Sequence, residues 1–102
     1  MLALRPGDTL VLEAGVVLHS LPDQNFYYAF SVVNGDQFRL NRTSFWVLEA
    51  IGNGVEWSHL KDAFLAAFEV SARQGEADLR KLVTDLSGQK IIRRGNDERQ
   101  EN

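Results

Sequence analysis

Alternation between apolar and polar positions dominates the first forty residues of the chain and predicts strands. The segment 9–13 alternates leucine with other residues, and 16–19 continues in residues that favour strands after Gly15. A turn over 22–25 leads into 25–33, where aromatic and β-branched residues give the clearest strand pattern. Period-two alternation assigns four residues of this strand to the core face: Phe26, Tyr28, Phe30 and Val32.

A tight hairpin is predicted directly after this strand. Asn34–Gly35 is typical of a type I′ turn, because both central residues of that turn need a positive φ. A third strand over 36–40 should then run antiparallel to the second. In this strand Phe38 and Leu40 share one face, and Gln37 and Arg39 share the other.

The apolar period changes after residue 40 and predicts three helices. Asn41 is a suitable N-cap for a helix over 43–51, and a second helix is expected over 57–69. Ser71 is a suitable cap for a third helix over 73–86. Each helix carries an inward apolar stripe, formed by Phe45, Leu48 and Ile51, by Trp57, Leu60, Phe64 and Phe68, and by Leu79, Leu82, Val83 and Leu86.

Strands followed by helices predict an α+β domain. We expect it to span residues 1–94, as a three-stranded antiparallel sheet followed by three helices. Residues 90–94 can add a short final strand or an extended segment that packs back. The segment 95–102 is polar and is expected to be a disordered tail.

Composition narrows the classes of function. The formal net charge is −3, which disfavours nucleic acid, because binding to phosphates needs clustered cations. There is no cysteine, which favours the cytoplasm. Residues 1–8 lack the apolar run of a signal peptide, and no apolar run is long enough to cross a membrane. We expect a cytoplasmic protein with neither a nucleic-acid nor a membrane partner.

Candidate chemistry is sparse. His19 and His59 are the only histidines, and neither belongs to a metal-binding motif. Glu76 and Arg80 are four residues apart on the third predicted helix, as in an ordinary surface pair. The sequence therefore predicts a non-catalytic protein without a metal or cofactor.

The predicted third strand, 36–40, can lie at the edge of the sheet. An edge exposes unpaired main-chain groups, which proteins usually protect, and Asp36 and Arg39 can serve as that protection. The same edge can instead accept a strand from a peptide. Composition alone does not decide between these two interpretations.

The order and spacing of motifs resemble the PqqD-like family. The segment 38–54 resembles that family's strand, Leu-Asn pair, helix and glycine turn, with Leu40–Asn41 as the pair. The segment 78–86 is similar to its last helix, and Gly88 and Ile91–Ile92 match the glycine and hydrophobic pair that follow.

The resemblance covers roughly residues 8–94 and implies a winged-helix-like RiPP recognition element. Such domains bind the leader segment of a ribosomally made precursor peptide and present it to a tailoring enzyme. That enzyme is a radical SAM protein, a cyclase or a leader peptidase. In the family, the leader adds as a strand to the third strand and packs against the third helix.

Mapped onto this chain, the resemblance implies two walls of a peptide site. The strand wall is Asp36, Gln37, Phe38, Arg39 and Leu40, and the helix wall is Leu79, Arg80, Leu82, Val83 and Leu86. Arg39 and Arg80 can attract an acidic leader, and part of the helix stripe must instead belong to the core.

Two other functions stay open from the sequence. A winged-helix DNA-binding protein has a similar order of elements, although the charges on the last predicted helix are balanced. A structural subunit can form a homodimer through the same strand edge.

Overall fold

Two three-stranded antiparallel sheets and three helices make up residues 3–95, the part of the chain that the computed structural model describes. The strands are β1 (Thr9–Leu12), β2 (Val16–Leu21), β3 (Phe26–Ser31), β4 (Gln37–Leu40), β5 (Val55–Glu56) and β6 (Ile92–Arg94). The helices are α1 (Arg42–Ile51), α2 (Trp57–Phe68) and α3 (Ala72–Gly88), and a short 3₁₀ turn spans Pro22–Gln24.

The α+β class is confirmed, but the division of the strands between sheets differs from the prediction. One sheet has the order β5-β1-β6 and the other β2-β3-β4. Gly15, with φ of +82°, turns the chain between β1 and β2, which therefore join different sheets. β5 lies between α1 and α2, and β6 follows α3, so strands and helices are not separated along the chain.

The helices begin and end close to the predicted residues. The side chain of Asn41 accepts a hydrogen bond from the Ser44 amide at 2.7 Å and caps α1. The Ser71 hydroxyl accepts one from the Gln74 amide at 3.3 Å and caps α3. The short strand predicted over 90–94 is present as β6.

The prediction of the core face of β3 is wrong. Tyr27, Ala29 and Ser31 are buried, whereas the larger Phe26 and Phe30 lie on the opposite face and are only half-buried. α1 packs on the inner face of this sheet. The small side chains at positions 29 and 31 leave room for a closely packed helix.

The turn between β3 and β4 is also not the predicted type I′ turn. β3 ends at Ser31, and Gly35 has a φ of +81°, but Asn34 has no positive φ. The Gly35 amide donates to the Ser31 carbonyl at 2.7 Å, and the Asp36 amide donates to the Asn34 side chain at 3.0 Å. The connection is therefore five residues long and bends the chain earlier than a two-residue turn.

The core lies between the sheets and the helices. Its largest fully buried side chains include Trp57, Leu10, Leu48, Leu60 and Ile92. No helix within residues 3–95 is long and apolar enough to cross a membrane. The predicted tail, 95–102, lies outside the described residues except for Gly95.

Candidate functional site

The candidate site is the open edge of the β2-β3-β4 sheet. β4 is the last strand of that sheet and pairs with β3 alone within the described chain. Tyr28 lies opposite Arg39, and Ala29 opposite Phe38. The prediction of an edge strand at 36–40 is therefore confirmed for 37–40, with Asp36 directly before it.

The direction of the main-chain groups along β4 follows from two hydrogen bonds. The Ser31 amide donates to the Asp36 carbonyl at 2.8 Å, so this opposed pair is a bonded one. Bonded and non-bonded pairs alternate along an antiparallel ladder. Phe38 and Leu40 therefore bond to β3, whereas Gln37 and Arg39 direct their N–H and C=O groups outward, to the open edge.

The other side of β3 gives the same alternation. The Val32 amide donates to the Gly15 carbonyl at 2.9 Å, which makes this the first bonded pair toward β2. Because bonded pairs recur at every second residue, Phe30 and Tyr28, which lie two and four residues before Val32, also bond to β2. The main-chain groups of Phe30 and Tyr28 are thus unavailable to β4. This agrees with the pairing of β3 and β4 inferred from the hydrogen bond between Ser31 and Asp36.

A shallow depression of about 510 Å³ adjoins this edge. Its lining is aromatic and basic and consists of Phe26, Tyr28, Gln37, Phe38 and Arg39. The Arg39 guanidinium lies over the Phe26 ring, 4.6 Å from the centroid, as a cation–π pair does. Within residues 3–95 no carboxylate lies at ion-pair distance from Arg39.

The predicted helix wall is mostly core. Leu79 and Val83 have no exposed surface, and Leu86 is only 2% exposed. Leu82 is half-buried and keeps part of its side chain at the surface. Three of the four apolar residues proposed for this wall thus have almost no surface that a ligand could contact in this conformation.

Arg80 is also engaged within the protein. Its Nε donates to Glu76 Oε2 at 3.0 Å, which confirms the predicted pair, and its Nη1 donates to the Leu4 carbonyl at 3.4 Å. The guanidinium also lies 5.0 Å from the Trp57 ring centroid. Arg80 ties the N-terminal segment and α2 to α3, which leaves Arg39 as the more available cation.

The two predicted walls have different packing partners. α3 packs closely on α2 and β6, whereas β4 packs on β3 and α1. The candidate site therefore consists of the open edge of β4 and the aromatic depression beside it.

The sequence interpretation missed Phe26 and Tyr28 as surface residues beside the edge. A signal was present, because the predicted two-residue turn would pair Val33 with Asp36. Odd-numbered residues of β3 would then lie opposite even-numbered residues of β4, and opposed residues share a face of the sheet. Phe38 and Leu40 would share a face with the odd positions of β3, which leaves Phe26 and Tyr28 on the other face.

Among residues 3–95, neither histidine belongs to a group that could bind a metal. His19 lies on the outer face of β2, 5.2 Å from the Tyr28 ring, and His59 is exposed on α2. Across the described residues, no three potential metal-binding side chains of the His, Cys, Asp or Glu type cluster together.

Comparisons of the chain with protein-family models, with curated proteins and with solved structures found no match.

Proposed function

We propose that this protein is a non-catalytic, cytoplasmic peptide-binding domain, similar in role to the PqqD-like recognition elements. It captures the leader segment of a ribosomally made precursor peptide as a strand added to β4. It then presents that precursor to a tailoring enzyme such as a radical SAM protein, a cyclase or a leader peptidase. A winged-helix-like arrangement of β4 and α3 around the leader is part of this proposal.

The observation that carries the proposal is the outward direction of the main-chain groups of Gln37 and Arg39. Both side chains are exposed, and within residues 3–95 β4 has a bonded neighbour on one side only. An extended peptide can use these N–H and C=O groups whatever its side chains are. This tolerance suits a domain whose ligands are leader segments.

Energetics indicate that the leader must also carry an apolar anchor. Two residues offer up to four main-chain hydrogen bonds, at about 1 kcal/mol each. Micromolar affinity needs about −8 kcal/mol, and ordering the peptide adds a further cost. Apolar side chains must therefore supply at least about half of the binding free energy. Phe38 and the exposed part of Leu82 are the surfaces available for them among the predicted residues.

Charge favours an acidic residue in the leader next to Arg39. The Arg39 guanidinium has no carboxylate partner within the described chain, whereas Arg80 is already paired with Glu76. A carboxylate opposite Arg39 would form a cross-strand ion pair, which contributes up to about 1 kcal/mol.

A matched pair of variants at one position tests this proposal. Synthetic leader peptides from short reading frames beside the gene are titrated against the wild type, Arg39→Ala and Arg39→Pro. Arg39→Ala removes the cation but keeps the outward N–H, whereas Arg39→Pro removes both. Proline at this position keeps the ladder to β3, because the lost N–H faces solvent.

We expect Arg39→Pro to bind about tenfold more weakly than Arg39→Ala, which corresponds to about one main-chain hydrogen bond. Thermal unfolding of each variant shows whether the sheet is intact. Equal affinities of two folded variants would exclude the β4 edge as the binding site.

A homodimer through β4 is supported by the same open edge, and it makes a different prediction. Two copies would then pair edge to edge and satisfy the groups of Gln37 and Arg39 mutually. Sedimentation over a range of concentrations distinguishes the cases, because only a dimer would dissociate on dilution and be weakened by Arg39→Pro.

A further inference from the structure

The outer face of the β2-β3-β4 sheet is apolar and uncovered within residues 3–95. Val17 is 52% exposed and Leu21 41% exposed on β2. Four of the five large apolar residues that the described chain exposes belong to β2 or to the turn after β3. The outward residues of the three strands are Val17, His19, Leu21, Phe26, Tyr28, Phe30, Gln37 and Arg39.

The aromatic groups on this face form one connected surface. The His19 and Tyr28 rings lie 5.2 Å apart, and the Phe26 and Tyr28 rings 5.3 Å apart. A second depression, of about 280 Å³, shares Tyr28 and Gln37 with the depression beside the β4 edge. The surface thus extends across all three strands, with its rings held against one another.

The charge on this face is of one sign. Arg39 and His19 are the only basic residues among the outward residues of β2, β3 and β4, and none of those outward residues is acidic. The nearest acids along the chain, Asp23 and Asp36, lie in the turns at opposite ends of β3. This contrasts with the net charge of −3 for the whole chain.

We propose that this outer face binds a segment of a partner protein in which Asp or Glu is flanked by bulky apolar side chains. The carboxylate pairs with Arg39, and the apolar side chains cover Tyr28, Phe30 and Val17. Exposed apolar patches of this kind mark protein–protein contacts, and an unpaired cation within one selects an acidic partner. The proposal goes beyond strand addition, because it uses the face of the sheet and not its edge.

Two other occupants fit the face less well. A second copy would oppose the same face, which offers Arg39 and His19 no carboxylate. Single-stranded nucleic acid would find rings for stacking, but only one permanent cation, on a chain whose net charge repels phosphates. The exposed Val17 and Leu21 suit apolar side chains better than bases.

The test uses two variants of opposite charge at one exposed position, Val17→Glu and Val17→Lys. The probe is a phage-displayed library of random 12-residue peptides, selected on the wild type. We expect selected peptides to be enriched in Asp or Glu close to Trp, Phe or Leu. We expect these peptides to bind Val17→Glu at least about tenfold more weakly than Val17→Lys, because both variants lose the same valine and differ in the sign of the charge that they add to the face.

Several results would overturn the proposal. These are selected peptides without acidic enrichment, equal binding of the two variants, a dimer of the wild type that Val17→Glu disrupts, or salt-sensitive binding of an oligothymidine. The thermal midpoints of both variants verify that they are folded.

Failure here is distinguishable from failure of the proposed function. Val17 lies two strands, about 10 Å, from the open edge of β4. Leader peptides that add to β4 should bind both Val17 variants as they bind the wild type. If peptides bind at only one of the two places, the β4 edge or the outer face, the result shows which of the two proposed sites is incorrect.

Discussion

Arg39 of β4 lies directly opposite Tyr28 of β3, in a pair whose main-chain groups do not bond to each other. The Tyr28 groups point toward β2, and the Arg39 groups point away from the sheet. This relationship supports strand addition at β4, and it also places the Arg39 side chain on the outer aromatic face. One residue thus contributes its main chain to the edge and its guanidinium to the face.

The corrected orientation of β3 predicts that substitution by valine destabilises the protein more at position 29 than at position 30. Ala29 has no exposed surface, so Ala29→Val adds two methyl groups to a filled core and should cost about 1–3 kcal/mol. Phe30 is half-buried on the outer face, so Phe30→Val should cost about 1 kcal/mol or less. Urea unfolding of both variants measures the difference. A larger loss for Phe30→Val would contradict the assignment of the faces.

Helix boundaries were predictable from the sequence because their signals are local. Asn41 and Ser71 cap the helices that follow them, and stripes with spacings of three and four define the buried sides. The face of β3 was not predictable from hydrophobicity alone, because larger apolar residues occupy the outer side. The inner side instead carries Ala29 and Ser31, whose small side chains fit beneath α1, together with Tyr27.

Sheet membership depended on contacts between residues distant in sequence. The Glu13 amide donates to the Ile91 carbonyl at 2.9 Å, and β1 pairs with β6 near the end of the described chain. No local pattern around β1 indicates these partners. The edge position of β4, in contrast, followed from its place as the last strand before the helices.

The apolar stripe of α3 predicts a contrast between two leucines. Leu79 is fully buried, so Leu79→Ala should cost about 2–5 kcal/mol. Leu82 is half-buried, and Leu82→Ala should cost only about 1 kcal/mol. Urea unfolding measures both costs, which follow from the shift of the unfolding midpoint when the variants and the wild type have equal m-values. A similar loss of unfolding free energy in the two variants would show that Leu82 is also core and would leave none of the predicted apolar residues of α3 available to a leader.

The partners of Arg80 predict a structural role. Arg80→Ala loses the ion pair with Glu76 and the stacking on Trp57, which together should cost about 1–2 kcal/mol. Arg80→Lys should retain only part of the free energy of unfolding that Arg80→Ala loses, since lysine lacks a planar guanidinium. Arg73→Ala, at an exposed position of the same helix, is the control. An Arg80→Ala variant as stable as that control would show that these contacts contribute nothing.

The turn between β1 and β2 predicts a specific need for glycine. Gly15 has a φ of +82°, and a Cβ there would lie 2.7 Å from Val33 Cγ2. Gly15→Ala should therefore cost at least about 1 kcal/mol, from the strained φ and the contact. Gly7→Ala is the matched control, because a Cβ at Gly7 meets no atom within 4 Å. Thermal unfolding compares them, and equal midpoints would contradict the conformation of this turn.

The most direct test of strand addition is amide hydrogen exchange in β4, measured by NMR with and without a saturating leader peptide. The amides of Gln37 and Arg39 face the open edge, whereas those of Phe38 and Leu40 already bond to β3. We expect exchange at Gln37 and Arg39 to slow by at least about tenfold when the peptide binds, because each amide gains a hydrogen bond. Exchange at Phe38 and Leu40 should change much less. Unaltered exchange at Gln37 and Arg39 with a bound leader peptide would contradict strand addition at β4.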